Sequence, residues 1–260
     1  MYHRIAIKVG SNVLTRPDGT LDITRMSALV DQLADLRRSN IEVILISSGA
    51  VASGRSEMHL PATETEQMDS VEQRQLFSAV GQAKLMGRYV ELFRDHGIHV
   101  GQVLTMKENF REGEQYDNQR RCMSAMLTHG VLPIVNENDT VCVTELMFTD
   151  NDELSGLVAQ MMQCDALIIL SNIDGIYTGR PDDEDSKIIR EVRKGADLSS
   201  YLQSEHSIAG RGGIQSKYNT AQAVAAAGIN VFIANGKRDG IITDLLWHPD
   251  LVNFTHFIPQ

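Results

Sequence analysis

The 260-residue sequence contains no apolar run approaching the ~20 residues needed to cross a bilayer, so a membrane-spanning helix is not expected. It also lacks positive charge: 24 Lys and Arg stand against 34 Asp and Glu, a formal net charge of -10. Proteins that neutralise nucleic-acid backbones carry a basic footprint, and none is present, which argues against nucleic acid as a partner. Cysteine is scarce, and Cys122, Cys142 and Cys164 form no CxxC pair. They read as small core residues in a reducing cytoplasm, not as a disulfide framework. Aromatic residues make up only 5%, leaving the core to aliphatic side chains and 11 Met. Neither GxxxxGK[ST] nor a GxGxxG after the first strand occurs, so the two commonest phosphate-binding signatures are missing. Met1 to Lys8 enters a strand-like segment with no apolar signal region, which also points to a cytoplasmic location.

What the chain has is alternation. Short β-rich apolar runs at Arg4 to Val9, Glu42 to Ser47, His99 to Leu104, Val131 to Val135, Ala166 to Leu170 and Asn230 to Ala234 are separated by helix-period segments. The predicted helices cover Asp22 to Arg38 with Asp22 as N-cap, Val71 to His96 with an interruption near Gly81 or Gly87, a stretch ending over Arg120 to His129, Asp152 to Met162, and Gly213 to Ala227. Thr140 to Phe148 reads as an edge hairpin and Pro181 to Ser186 as an acidic surface loop. Such alternation predicts a parallel sheet covered on both faces. No linker or repeat divides the chain, so residues 1–260 are expected to form one domain.

In open α/β sheets ligands sit beyond the carboxyl ends of the strands, which draws three turns together: Gly10-Ser11-Asn12, Ser48-Gly49-Ala50 and Asn136-Glu137-Asn138-Asp139. Glycine admits close approach of a ligand, and amides at a helix N-terminus attract anionic oxygens. Lys8 interrupts an apolar strand, where a lysine is uncommon unless paired or functional. Gly210 to Lys217 is glycine-rich and ends in a lysine about one turn into a helix. Asp150-Asn151-Asp152 adds a second carboxylate cluster. The residues alone leave each of these open as a plain connection, solvated turn or helix cap. A metal site or glycosidase pair has no EF-hand spacing or aromatic platform in its favour.

In order along the chain, VGSNVL (Val9 to Leu14), SSGAV (Ser47 to Val51), AVGQ (Ala79 to Gln82), GIHVGQ (Gly97 to Gln102), PIVNEND (Pro133 to Asp139), DNDELS (Asp150 to Ser155), DGIYT (Asp174 to Thr178) and GGIQSK (Gly212 to Lys217) resemble the amino acid kinase family. The resemblance implies a three-layer αβα sandwich around a mainly parallel sheet of about eight strands. It implies phosphorylation of the side-chain carboxylate of L-glutamate by ATP with Mg²⁺, the first step of proline biosynthesis. N-acetylglutamate is an alternative acceptor, and a weakened glutamate- or proline-binding regulator an alternative role.

By the same resemblance, Lys8 and Lys217 are expected to neutralise the moving phosphoryl group, with Asp152 holding both. Ser48, Gly49, Ala50, Asn136, Asp139 and Asn151 are expected to bind glutamate. Lys8, Gly10, Ser171, Asn172, Tyr177 and Arg211, Gly212, Gly213, Ile214, Gln215, Ser216 and Lys217 are expected on the nucleotide side, with no metal ligand assigned. Residues to about 165 would serve glutamate and those from about 166 the nucleotide. Departures from the family pattern fall on the nucleotide side: Ser171-Asn172 for Thr-Asp, Gly210 to Ile214 for GTGGM, and Tyr177 to Pro181 for YTADP. The resemblance further implies feedback by proline and a homo-oligomer, dimer or tetramer. Many members carry a C-terminal RNA-binding-like module; this sequence is expected to comprise the kinase domain only.

Overall fold

Runs of Ile, Val and Leu with few helix-stabilising neighbours become strands buried on both faces. A computed structural model describes residues 2–141, 150–180, 183, 185–196, 198, 201 and 213–260. Its strands are β1 (Arg4–Val9), β2 (Glu42–Ser47), β3 (Val100–Thr105), β4 (Leu132–Glu137), β5 (Ala166–Ser171), β6 (Glu191–Val192), β7 (Asn230–Asn235) and β8 (Phe254–Phe257). They form one eight-stranded sheet in the order β3-β4-β2-β1-β5-β7-β8-β6. Neighbours from β3 to β7 run parallel, β8 is antiparallel to β7, and β6 is parallel to β8.

Alternation along β1 sorts its side chains between two layers. Ile5, Ile7 and Val9 enter a core shared with α2 (Ile23–Arg38), α5 (Ser70–Arg94) and α9 (Ile241–Trp247). Ala6 enters the opposite core, with α6 (Glu114–Thr128), α7 (Asn151–Met161) and α8 (Ile214–Ala226). The architecture is thus the expected αβα sandwich. Period-two alternation also puts Lys8 on the face of Ala6, toward α7 and α8. The remaining helices are α1 (Ser11–Leu14), α3 (Ala50–Met58) and α4 (Ala62–Thr65). No described helix is long and apolar enough to cross a membrane.

The interruption expected near Gly81 or Gly87 does not occur. α5 runs unbroken for 25 residues from a capping box of Asp69 and Glu72. Gly81 serves packing between helices: a Cβ there would stand 1.8 Å from the Ala50 carbonyl oxygen, and one at Gly54 would stand 1.8 Å from that of Phe77. Helices α3 and α5 therefore touch through backbone at both glycines. The turn at Ser48-Gly49-Ala50 leads directly into α3, with Gly49 at φ 107 as its N-cap. Of the hairpin expected over Thr140 to Phe148, residues 142–148, Cys142 among them, lie outside the described residues. Pro181, Asp182 and Glu184 of the acidic loop do as well.

Candidate active site

Lys8 is 5% exposed, Lys217 is 5% exposed and Asp152 is fully buried. Burying charged groups is tolerated only when they are paired and hydrogen-bonded, and these three pair with one another. Lys8 Nζ lies 2.6 Å from Asp152 Oδ1. Lys217 Nζ donates to Asp152 Oδ2 at 2.9 Å. The contributing elements explain the convergence. Asp150 caps α7, its Oδ1 accepting from the backbone N–H of Asp152 at 2.8 Å and of Glu153 at 3.1 Å, so Asp152 sits in the first turn. Lys217 is the fourth residue of α8, which begins after Gly213. Gly156 lets α7 and α8 approach, since a Cβ there would lie 2.9 Å from Val224 Cγ2 and 3.0 Å from Thr220 Cγ2.

Burial by itself would raise the Asp152 pKa, but the ammonium groups of Lys8 and Lys217 reverse this and hold the carboxyl below its ordinary value. Asp150 behaves oppositely: burial, then the Asp152 charge, push its pKa up, opposed by hydrogen bonding from Ser216. The two neighbouring carboxyls thus differ because only one holds lysines directly.

The residues expected to bind the acceptor gather beside this cluster. Asn151 Nδ2 donates to Ser48 Oγ at 2.8 Å and to Asn136 Oδ1 at 3.0 Å. Asp139 accepts from Arg74 Nε at 2.6 Å, and Arg74 also pairs with Glu137. Gly49 and Ala50 supply backbone next to Ser48 at the start of α3. Sequence reasoning missed two residues here, Arg74 and Gln82. Arg74 lies in the polar segment Glu72-Gln73-Arg74-Gln75, which reads as an ordinary solvated helix face. Gln82 Oε1 accepts from Asn136 Nδ2 at 2.9 Å; it sits in the AVGQ motif, so a signal was present without a role.

On the expected nucleotide side, Gly10 N–H donates to the Leu170 carbonyl at 3.2 Å, and Gly236 N–H to that of Ser171 at 2.8 Å. These bonds tie the carboxyl ends of β1, β5 and β7 together. Ser171 Oγ donates to Asn172 Oδ1 at 3.3 Å. Tyr177 Oη donates to Asp174 Oδ2 at 3.3 Å, and Asp174 Oδ1 accepts from Asn235 Nδ2 at 2.9 Å. Gly213, Ile214, Gln215, Ser216 and Lys217 form the N-cap and first turn of α8, with the Gln215 side chain donating along the helix to Asn219 at 2.9 Å. Arg211 and Gly212 lie outside the described residues. Among the described residues, no group of three or more His, Cys, Asp or Glu side chains is arranged to hold a metal ion.

Comparison with known proteins shows the family of the chain. The model of the amino acid kinase family matches residues 3–235. A protein named glutamate 5-kinase from Bacteroides thetaiotaomicron is 65% identical over 259 residues, covering 100% of this chain and 71% of that protein. Its namesake from Chlorobaculum tepidum is 45% identical, covering 93% of this chain and 66% of its own length. The one from Clostridium acetobutylicum is 37% identical, covering 99% and 95%. Among solved structures, an isopentenyl phosphate kinase matches with TM-score 0.69 at 15% identity over 98% of this chain and all of its own. UMP kinase from Ureaplasma parvum matches with TM-score 0.67 at 13% identity over 99% of each chain. At such low identity these structures speak for the fold alone.

Proposed function

The chain belongs to the amino acid kinase family, and we propose that it transfers the terminal phosphoryl group of ATP to the side-chain carboxylate of L-glutamate, giving L-glutamyl 5-phosphate. The observation that carries this reading is the buried ion cluster, two ammonium groups bonded to opposite oxygens of one carboxylate. The names of relatives up to 65% identical supply the acceptor, and the family resemblance supplies the link to proline formation.

A carboxylate acceptor is already ionised at neutral pH, so no general base is required. A glutamate oxygen attacks the γ-phosphorus, the bond to the bridging oxygen breaks, and its electron pair leaves with ADP. The difficulty is electrostatic, because an anion must approach an anion. Fixed cations answer it: unit charges ~4 Å apart interact by about 4 kcal/mol at an effective dielectric near 20. Lys8 and Lys217 supply them, and Asp152 keeps both from dispersing toward solvent. Mg²⁺, carried in with the ATP phosphates, would neutralise further charge there.

Ser48, Gly49, Ala50, Asn136, Asp139 and Asn151 form the acceptor pocket in this proposal. Gly10, Ser171, Asn172, Tyr177 and the start of α8 form the nucleotide side, so acceptor groups come mainly from residues up to about 165. Proline, with an α-carboxylate and ammonium like those of glutamate, would compete in the acceptor pocket. Assembly into a homo-oligomer is the remaining expectation from the family, and light scattering on the purified protein tests it.

The test is to incubate protein, ATP, Mg²⁺ and glutamate with hydroxylamine, which traps an acyl phosphate as its hydroxamate. Hydroxamate is expected with glutamate and not with N-acetylglutamate. Folded, ATP-binding protein that makes none from glutamate would overturn the proposal.

A further inference from the structure

The AVGQ segment of α5 has a packing role at Gly81 but none yet at Gln82. Because the backbones of α3 and α5 touch at Gly81, the next residue lies beside the turn between β2 and α3 and reaches across to β4. Gln82 Oε1 accepts from Asn136 Nδ2 at 2.9 Å, while Gln82 Nε2 is buried with no hydrogen-bond partner among the described residues. Burying an amide donor unpaired costs stability. Methionine would fill similar volume without that cost, so packing does not account for glutamine here.

The direction of the network does. Asn136 Oδ1 accepts from the Glu137 backbone N–H at 2.9 Å. A backbone N–H can only donate, so this bond fixes which end of the Asn136 amide is which. Nδ2 must then face Gln82, and Gln82 must present an acceptor. Asn151 Nδ2 spends both hydrogens, one on Asn136 Oδ1 and one on Ser48 Oγ. With its oxygen already accepting, Ser48 keeps its own hydrogen to donate. Three groups therefore remain uncommitted among the described residues: the Ser48 hydroxyl hydrogen, the second hydrogen of Asn136 Nδ2, and the acceptor Asn151 Oδ1. Two donors and one acceptor suit the carboxylate and ammonium of an α-amino acid.

We propose that Gln82 is a positioning residue for the acceptor: its Oε1 holds the Asn136 amide, and through it Asn151 and Ser48, in the one sense that fits an amino-acid head group. This rests on the glutamate reading above. Gln82→Met, which removes the acceptor atom, should raise the glutamate KM about tenfold, equivalent to about 1.4 kcal/mol. The ATP KM and the melting temperature should hold. Gln82→Glu keeps an oxygen toward Asn136 and should keep the glutamate KM within about threefold of the parent, where loss of the bond gives tenfold. An unchanged glutamate KM in Gln82→Met, parallel rises in both KM values, or equal damage from Gln82→Glu would each overturn the proposal. Selective ¹⁵N-asparagine labelling reads the same network without substrate. The Asn136 side-chain amide signals should move in Gln82→Met and stay nearly in place in Gln82→Glu; signals unmoved in Gln82→Met overturn the proposal. A parent enzyme that fails the hydroxamate test while these signals behave as expected would count against the glutamate reading and not against Gln82.

Discussion

At one end of the site three side chains from β1, α7 and α8 meet as ions, and at the other four side chains from α5, α7, β4 and the turn after β2 meet as neutral hydrogen-bonding groups. Lys8, Asp152 and Lys217 are held by charge, which is strong at low dielectric but indifferent to direction. Gln82, Asn136, Asn151 and Ser48 are held by bonds whose donor and acceptor senses are fixed by one backbone N–H. The first arrangement suits neutralising a transferring phosphoryl group; the second suits recognising a small polar molecule. Asn151 and Asp152 are successive residues in the first turn of α7, so a single helix start, capped by Asp150, feeds both ends.

If the ends do different work, breaking them should give different kinetics. The largest effect is expected from Lys217→Ala, which removes one fixed cation from the transferring group. Loss of such a stabilising group lowers kcat by roughly 10²–10³-fold, while glutamate binding, measured by calorimetry, should change by less than about threefold. Equal losses in kcat and glutamate affinity would erase the distinction between the two ends.

Asp152→Asn comes next and should be felt in stability. It leaves two buried ammonium groups without their shared anion, and breaking a buried pair typically costs about 3–5 kcal/mol. The pH dependence follows from the same bonds. Since the folded pKa of Asp152 is depressed, its contribution is present above the unfolded carboxylate range and is lost as pH falls through the folded value. Urea midpoints measured from neutral pH downward should therefore fall for the parent and be flatter for Asp152→Asn. Parallel curves would show that the cluster does not govern acid stability.

Gly81→Ala tests the frame under the neutral end. Its Cβ would meet the Ala50 carbonyl oxygen at 1.8 Å and the Gly54 nitrogen at 2.3 Å. Forcing α3 and α5 apart should cost about 1–3 kcal/mol and raise the glutamate KM more than that of ATP, because Ser48 and Gln82 ride on those elements. A melting temperature equal to the parent's would sink the packing explanation.

How far these features were legible in the sequence depends on the range of the forces behind them. β1 and β2 were readable to the residue, because an apolar run buried on both faces is a local pattern. Lys8 stood out for the same reason, as a charge where the pattern excludes one. Its pairing with Asp152 and Lys217 was not local: 65 residues separate the last two, and only the family resemblance joined them. Gly81 suggests a break because glycine weakens a helix locally, whereas contact with α3 decides its place here. β6 and β8, of two and four residues, are too short to carry a periodic signal, and α9 at seven residues is little longer. Arg74 offered no cue, since its carboxylate partners belong to β4 and the loop after it, more than sixty residues away.

The smallest effect is expected just behind the neutral end. Tyr89, on α5, is 2% exposed and its hydroxyl lies 2.8 Å from Ser47 Oγ, one residue before Ser48. Burial pushes its pKa up to about 12, so it stays protonated across any practical assay range and adds no pH dependence of its own. Tyr89→Phe removes one neutral hydrogen bond while keeping the ring, and Ser47 Oγ can still donate to the Ser48 carbonyl, 3.1 Å away. The expected cost is about 0.5–1.5 kcal/mol, a fall of about 1–6 °C in melting temperature for a domain of this size. Both KM values should remain within about twofold, because the bond braces the strand end without entering the directed network. A selective rise in glutamate KM would extend that network back to Tyr89 and make the acceptor end deeper than the four residues described.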